Sequence, residues 1–160
     1  MNFLEKTAIH ILHQTRMDHQ RPFNLDVARL FVVSPFNEIS LLTQSKDIYA
    51  LIESIPCMHR SIGENPLIAL ETCGWAAPVG FNDVCPPSEH PQRIRTRLVL
   101  ISNRQGDTAT ACAFQQPTNR ILSGSPGDGL LCDALGDALR RLEMVQSLRL
   151  DDYNNDEQCM

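Results

Sequence analysis

The stretch that most constrains the fold is the alternating segment 93–101, with the sequence RIRTRLVLI. Side chains alternate between the two faces of a β-strand, so Ile94, Thr96, Leu98 and Leu100 share one face. The other face carries three arginines before it becomes apolar at Val99 and Ile101. Turn-forming residues follow at 103–107, and residues 108–115 then predict an antiparallel partner strand with a small, alanine-rich face that lets a helix approach closely.

A further strand is predicted at the short apolar stretch 67–73. Apolar residues at helical spacing predict helices over residues 3–17 and after Asp128, the residue expected to cap the last helix. Residues 25–33 fit either a helix or a short buried strand, and we favour the helix. Ser34 with Pro35 resembles another helix start, and Ser45 resembles the cap of a short helix that runs through residue 52.

These elements predict a single α+β domain over residues 1–150. A small antiparallel sheet is preceded by a helical N-terminal lead-in, and an amphipathic C-terminal helix packs on the sheet. We expect the N-terminal and C-terminal helices to cover the same face. Residues 76–92 and 116–127 are expected to be loops, and the acidic tail 151–160 is expected to be disordered.

Charge and cysteine usage narrow the class of protein. The formal charge is −5, and four of the acidic residues lie in the tail, so the remaining 14 basic and 15 acidic residues nearly cancel. This balance argues against general binding of nucleic acid. The six cysteines form no C-x-x-C pair, and the N-terminus lacks the features of a signal peptide. No apolar run is long enough to span a membrane, so we expect a cytoplasmic protein with reduced thiols.

The arginine row Arg93, Arg95 and Arg97 is the first candidate site. Successive members of such a row lie about 6–7 Å apart on one face of a strand. Guanidinium groups suit planar capture of a carboxylate or phosphate, so the row predicts a small-anion or nucleotide site. The alternative is that carboxylates of neighbouring elements pair with the arginines on a solvated face.

The loop before the row adds Ser88 and His90, and the strand before the loop ends near Trp75, the only tryptophan. His90 is the candidate acid or base if the same pocket belongs to a hydrolase, although adjacent Ser, Glu and His residues do not make a catalytic triad. Trp75 is a candidate ligand wall or contact for a partner protein, and the alternative is a residue that closes the core under the loop.

Two groups of residues are candidates for a metal site. Cys73, Cys85 and His90, with Cys57 and His59 nearby in sequence, match no common zinc spacing. His10 and His13 lie one helical turn apart without a supporting His-Glu-x-x-His pattern. We therefore predict neither a metal nor a cofactor.

The segment GWAAP, followed by PSxHPxRxRxRLV and an Ala-rich strand, resembles a group of small uncharacterised bacterial proteins common in actinobacteria. The matching positions cover about the middle third of the chain and lie at 74–78, 87, 88, 90, 91, 93, 95 and 97–99. This resemblance implies a bacterial cytoplasmic setting and transfers no catalytic residue.

Three functions are compatible with these patterns. The sequence favours a non-enzymatic interaction or structural module, with a second copy of the chain as one candidate partner. The alternatives are a protein that binds a small anion or nucleotide, and a hydrolase that uses His90.

Overall fold

The computed structural model describes residues 1–64, 66–77, 86–116, 120–127 and 129–158, with side chains of the last helix as far as residue 148. The helices are α1 (Phe3–Arg16), α2 (Ile48–Glu53), α3 (His59–Ile62) and α4 (Leu130–Gln158). The strands are β1 (Ala28–Val33), β2 (Ile39–Ser45), β3 (Ile68–Ala76), β4 (Ile94–Ser102), β5 (Thr108–Phe114) and β6 (Ile121–Gly124). Short 3-10 turns lie at Ile55–Met58 and Pro87–Glu89.

The six strands form one antiparallel sheet in the order β2-β1-β3-β4-β5-β6. The predicted α+β class is therefore confirmed, and so are the three strands expected near 67–73, 93–102 and 108–115. The alternating segment is β4, which pairs along its full length with β3 and, from Thr96 to Ser102, with β5 on the other side. Its first residues are only partly buried and keep a polar–apolar alternation, which made this strand the clearest in the sequence.

The expectation that both terminal helices cover one face is wrong, because α1 and α4 pack on opposite faces. Leu12 of α1 shares an apolar cluster with Val99 and Ala109, whereas Leu135 of α4 shares another with Leu100. Side chains alternate along β4, so Val99 and Leu100 point to opposite faces. The central strands are apolar on both faces. A helical layer on one side only would therefore leave the other apolar face exposed to water.

Residues 25–33 contain strand β1 rather than the favoured helix. Leu30 is buried on the α4 face, and Phe31 and Val33 are buried on the α1 face. Burial on both faces removes the polar–apolar alternation that would have identified a strand. The expected helix start at Ser34 is instead a hairpin turn, in which the backbone N–H of Ser34 donates to the carbonyl of Glu38.

Two further boundaries differ from expectation. The short helix predicted to begin at Ser45 is α2, and its cap is Asp47, whose carboxylate accepts a 3.1 Å hydrogen bond from the backbone N–H of Ala50. The loop expected over residues 116–127 contains β6, which pairs with β5.

The last helix includes much of the acidic tail, since α4 continues to Gln158. The disorder of segment 151–160 in solution stays a prediction. The capping role of Asp128 falls on a position outside the described residues.

Candidate binding groove

The candidate site lies on the α1 face of the sheet, just beyond the end of α1. On this face β3 and β4 bring Cys73 opposite Arg97, and Trp75 opposite Arg95. Helix α1 ends at Arg16, so the connector that follows it, residues 17–27, continues over this end of the sheet. The two arginines therefore meet different surroundings although they are two residues apart.

Arg97 is buried beneath the end of α1. Its Nη1 lies 3.2 Å from Oε2 of Glu71 and donates to Oγ1 of Thr15 at 3.0 Å, while Nη2 donates to the carbonyl of Leu12. Burial lowers the pKa of Arg97, and the charge of Glu71 opposes that effect. The structure thus places Arg97 in an internal ion pair and outside any surface site.

Glu71 is the centre of a buried charge cluster. It is 0% exposed, and its Oε1 accepts a 2.7 Å hydrogen bond from Nε of Arg29 and lies 3.0 Å from Nε2 of His19. Arg29 also pairs with Asp18 at 3.1 Å. Burial alone would raise the pKa of Glu71, but the hydrogen bond and charge of Arg29 outweigh it and hold that pKa below its ordinary value. The carboxylate therefore stays ionised inside the protein.

Trp75 and the other two arginines form the exposed part of the row. The Cζ atoms of Arg93 and Arg95 lie 4.8 Å and 4.6 Å from the centroid of the Trp75 ring, within the range of cation–π contacts. Trp75 is 36% exposed. Arg95 also donates from Nε to the carbonyl of Phe23 at 3.0 Å and from Nη2 to Oδ1 of Asn24 at 3.3 Å. These contacts hold the connector against β4.

An open groove of about 660 Å³ lies between the connector and this end of the sheet. We call it the Trp75 groove, and the described residues that line it are Arg21, Pro22, Phe23, Asn24, Trp75, Arg95 and Gln115. Its volume is in the range of small-molecule and peptide-side-chain sites. None of these described lining residues is acidic and two of them, Arg21 and Arg95, are basic, so the described lining carries positive charge in a chain of net negative charge.

The structure does not place Ser88 or His90 on the lining of the groove. Ser88 is exposed in the 3-10 turn Pro87–Glu89, and His90 is buried behind it. Nδ1 of His90 accepts a 3.0 Å hydrogen bond from the backbone N–H of Gln92, and its carbonyl accepts from Arg93 at 3.3 Å. His90 is thus connected to the arginine row through its backbone.

The described residues contain no cluster of three or more His, Cys, Asp or Glu side chains suited to a metal ion. The Sγ of Cys73 lies 3.5 Å from the carbonyl oxygen of Pro22, and burial raises the pKa of this thiol. Cys57 is exposed, and His59 contacts the carbonyl of Pro56. Cys85 lies outside the described residues, and His10 and His13 are exposed on α1.

Sequence reasoning identified Trp75 and Arg95 but not the residues that face them across the groove. Arg21, Phe23 and Asn24 lie in the connector, and Gln115 follows β5, where its backbone N–H donates to the carbonyl of Arg95. They share no motif with the arginine row. Only the pairing of β3, β4 and β5, together with the path of the connector, brings them to one place.

No family model, curated protein or solved structure matches the chain. Among the helices in the described part of the chain, none combines the length and apolarity needed to cross a membrane.

Proposed function

We propose that this protein is a non-enzymatic interaction module that binds an acidic segment of a partner protein in the Trp75 groove. The observation that carries the proposal is the contact of Arg93 and Arg95 with the indole of Trp75, where Trp75 and Arg95 line a groove without described acidic lining residues. Tryptophan and arginine are the residues most enriched at the energetic centres of protein interfaces.

The arrangement suits a carboxylate because the guanidiniums are held in place before a ligand arrives. Arg95 is fixed by the connector carbonyl of Phe23 and by Asn24, and Arg93 is fixed by the carbonyl of His90. A guanidinium that stacks on an aromatic ring keeps N–H groups at its rim for hydrogen bonds. Preorganisation of this kind reduces the entropy lost when a partner binds.

Binding of a protein segment fits the groove better than binding of a nucleotide. The guanidiniums already occupy positions near the Trp75 ring where a base would stack. Arg97, which would complete a three-arginine anion site, is bound to Glu71 inside the protein. A peptide that presents several carboxylates along its length can reach Arg21 and Arg95, which both line the groove.

The placement of the polar groups favours a binding role over hydrolysis. The raised pKa of Cys73 keeps its thiol protonated near neutral pH, and a thiol is a weak nucleophile in that form. His90, the residue predicted to serve as acid or base, does not line the groove.

The test is isothermal titration with a peptide of consecutive glutamates and, as the matched control ligand, a glutamine peptide of the same length. The parent protein is expected to bind the glutamate peptide only. Arg95→Gln is expected to weaken that binding roughly tenfold or more, because charge-assisted hydrogen bonds contribute about 1.5–3 kcal/mol. Arg141→Gln, on the exposed side of α4, is the matched control protein and should bind like the parent.

Because Arg95 also anchors the connector, Arg21→Gln provides a second variant whose side chain is exposed at the rim. It too should weaken binding. Titrations with inorganic phosphate and with nucleotides separate the alternatives. Binding of phosphate or a nucleotide without binding of the glutamate peptide would replace this proposal with the small-anion function. The proposal would be overturned if the protein bound both peptides equally well or bound neither of them.

A further inference from the structure

Helix α4 carries large apolar side chains on the side that faces away from the sheet. Leu135 and Leu139 are buried in the core. Leu130, Met144 and Leu148, in contrast, are 77%, 64% and 62% exposed. Successive residues advance about 100° around an α-helix, so these three side chains lie within roughly 40° of one another. They form one apolar surface that would gain free energy by leaving water.

This outward face has the spacing of a coiled coil. Its residues lie alternately four and three positions apart, as in a heptad repeat whose seam faces a partner helix. We call them the outer seam of α4, and they are Leu130, Ala134, Asp137, Arg141, Met144 and Leu148. Ala134 is partly buried, and the other five are exposed. The seam is thus apolar toward both ends and carries one acidic and one basic residue at its centre.

We propose that the outer seam packs antiparallel against the outer seam of a second copy, which makes the protein a homodimer. A two-fold axis level with residue 139 places Leu130 of each copy opposite Leu148 of the other. At the centre, Asp137 of each copy lies opposite Arg141 of the other.

The remaining layer of the seam is also complementary in this arrangement. The same axis places Ala134 of each copy opposite Met144 of the other, so that a small side chain leaves room for a long one. Every layer therefore joins residues that suit each other in size or in charge.

Other arrangements of the two helices lack this complementarity. Parallel pairing would place Asp137 beside Asp137 and Arg141 beside Arg141, and like charges in contact are unfavourable. Sliding one antiparallel helix by a heptad would place Arg141 opposite Leu130 or Met144, so that a charge would face an apolar side chain. Polar residues within a seam commonly specify register in this way.

The proposed pairing stops at two copies and leaves the Trp75 groove open. A contact about a two-fold axis uses the same surface of both chains, so no outer seam remains free. Helix α4 packs on one face of the sheet, and the groove lies on the face that carries α1. The dimer would therefore present two accessible Trp75 grooves, and its formation does not depend on what binds in them.

A charge-reversal series tests the dimer. The mass of the parent, measured by analytical ultracentrifugation over a series of concentrations, should rise from the 18.0 kDa of one chain toward twice that value. Asp137→Lys or Arg141→Glu alone places like charges opposite each other at two symmetric points, and should raise the dissociation constant roughly tenfold or more. The double reversal Asp137→Lys with Arg141→Glu restores opposite charges and should restore the dimer.

Circular dichroism of each variant checks that the helix is intact. Asp137 also pairs with Arg140 of its own chain, but both side chains are more than half exposed. Loss of such a pair costs little, so the helix content should match that of the parent.

Leu148→Lys and Leu122→Lys form a matched pair, because these leucines are 62% and 51% exposed, on α4 and on the edge strand β6. Only Leu148→Lys should shift the mass toward that of one chain, and Arg95→Gln should leave it unchanged. This pair keeps the test decisive if a charge reversal disturbs the helix.

Three results would overturn the proposal. They are a parent that stays monomeric over the whole series, a dimer that neither the single reversals nor Leu148→Lys weakens, and a helical double reversal that fails to dimerise. Failure of peptide binding in the Trp75 groove would not affect it. Conversely, loss of the dimer should leave peptide binding by each chain unchanged.

Discussion

Among single residues, the arginines of the row have two different roles, which depend on their position along β4. Arg95 reaches the open groove, whereas Arg97, two residues further, meets the buried Glu71 beneath α1. A buried carboxylate costs free energy unless charged or hydrogen-bonding partners compensate for the lost water. Arg29 and Arg97 provide that compensation for Glu71.

Replacing Glu71 with glutamine should destabilise the fold by about 3–5 kcal/mol, because it leaves two charged guanidiniums without their buried partner. Glutamine has nearly the same shape as glutamate, so the loss of stability measures the effect of the charge rather than that of packing. Chemical denaturation of the parent and the variant measures the difference in free energy of unfolding.

Glu143→Gln is the matched control, since Glu143 pairs with Arg104 at 3.3 Å while its side chain is 43% exposed. An exposed pair contributes at most about 1 kcal/mol, so this variant should unfold much like the parent. Equal losses for Glu71→Gln and Glu143→Gln would contradict the central role of the Glu71 cluster.

At the scale of elements, the alanine-rich face of β5 sets how closely α1 approaches the sheet. Ala109 and Ala111 are fully buried in the cluster that contains Ala8 and Ile11 of α1. This close approach was predicted from the alternating alanines alone. It depends on the small volume of these side chains, because cores are packed at near-crystalline density.

Ala111→Leu should therefore overpack the interface between α1 and β5 and destabilise the protein by about 1–3 kcal/mol. Ala113→Leu is the control on the same face of the same strand, where Ala113 is only partly buried. Thermal unfolding compares the two variants. A loss for Ala113→Leu as large as that for Ala111→Leu would contradict the packing argument.

The elements show what local patterns can and cannot predict. Strand β4 was predictable because its polar end gives a clear alternation, and β1 was not, because Leu30 and Phe31 are buried on opposite faces. Trp75 and Arg95 could be identified as a pair of candidates from residue type. Phe23 and Asn24 could not, since their place opposite Arg95 depends on contacts more than 70 positions apart in the chain.

At the scale of the whole molecule, the Glu71 cluster ties together segments that are distant in sequence. Arg29 belongs to β1, Glu71 to β3 and Arg97 to β4, and the cluster also reaches Thr15 of α1 and Asp18 of the connector. Loss of its central charge should thus weaken the contacts among these three strands and helix α1.

Acid should weaken the fold through this cluster. The pKa of Glu71 is lower in the folded protein than its ordinary value of 4.5, so the unfolded chain binds the proton more tightly. The stability that Glu71 contributes is therefore present above that ordinary value and is lost as the pH falls through the lower, folded-state pKa. Denaturation over a series of pH values should show this loss in the parent and in Glu143→Gln. A parent whose stability does not change over that acidic range would contradict it.

The position of the only tryptophan gives the molecule an intrinsic spectroscopic reporter. Trp75 lies at the Trp75 groove, next to Arg93 and Arg95, and it is remote from β2, being separated from that edge of the sheet by β1. Indole emission responds to the polarity and charge around the ring. A ligand in the groove should thus change the fluorescence of the unlabelled protein. Binding in the groove can therefore be followed by fluorescence without attaching a dye to the chain.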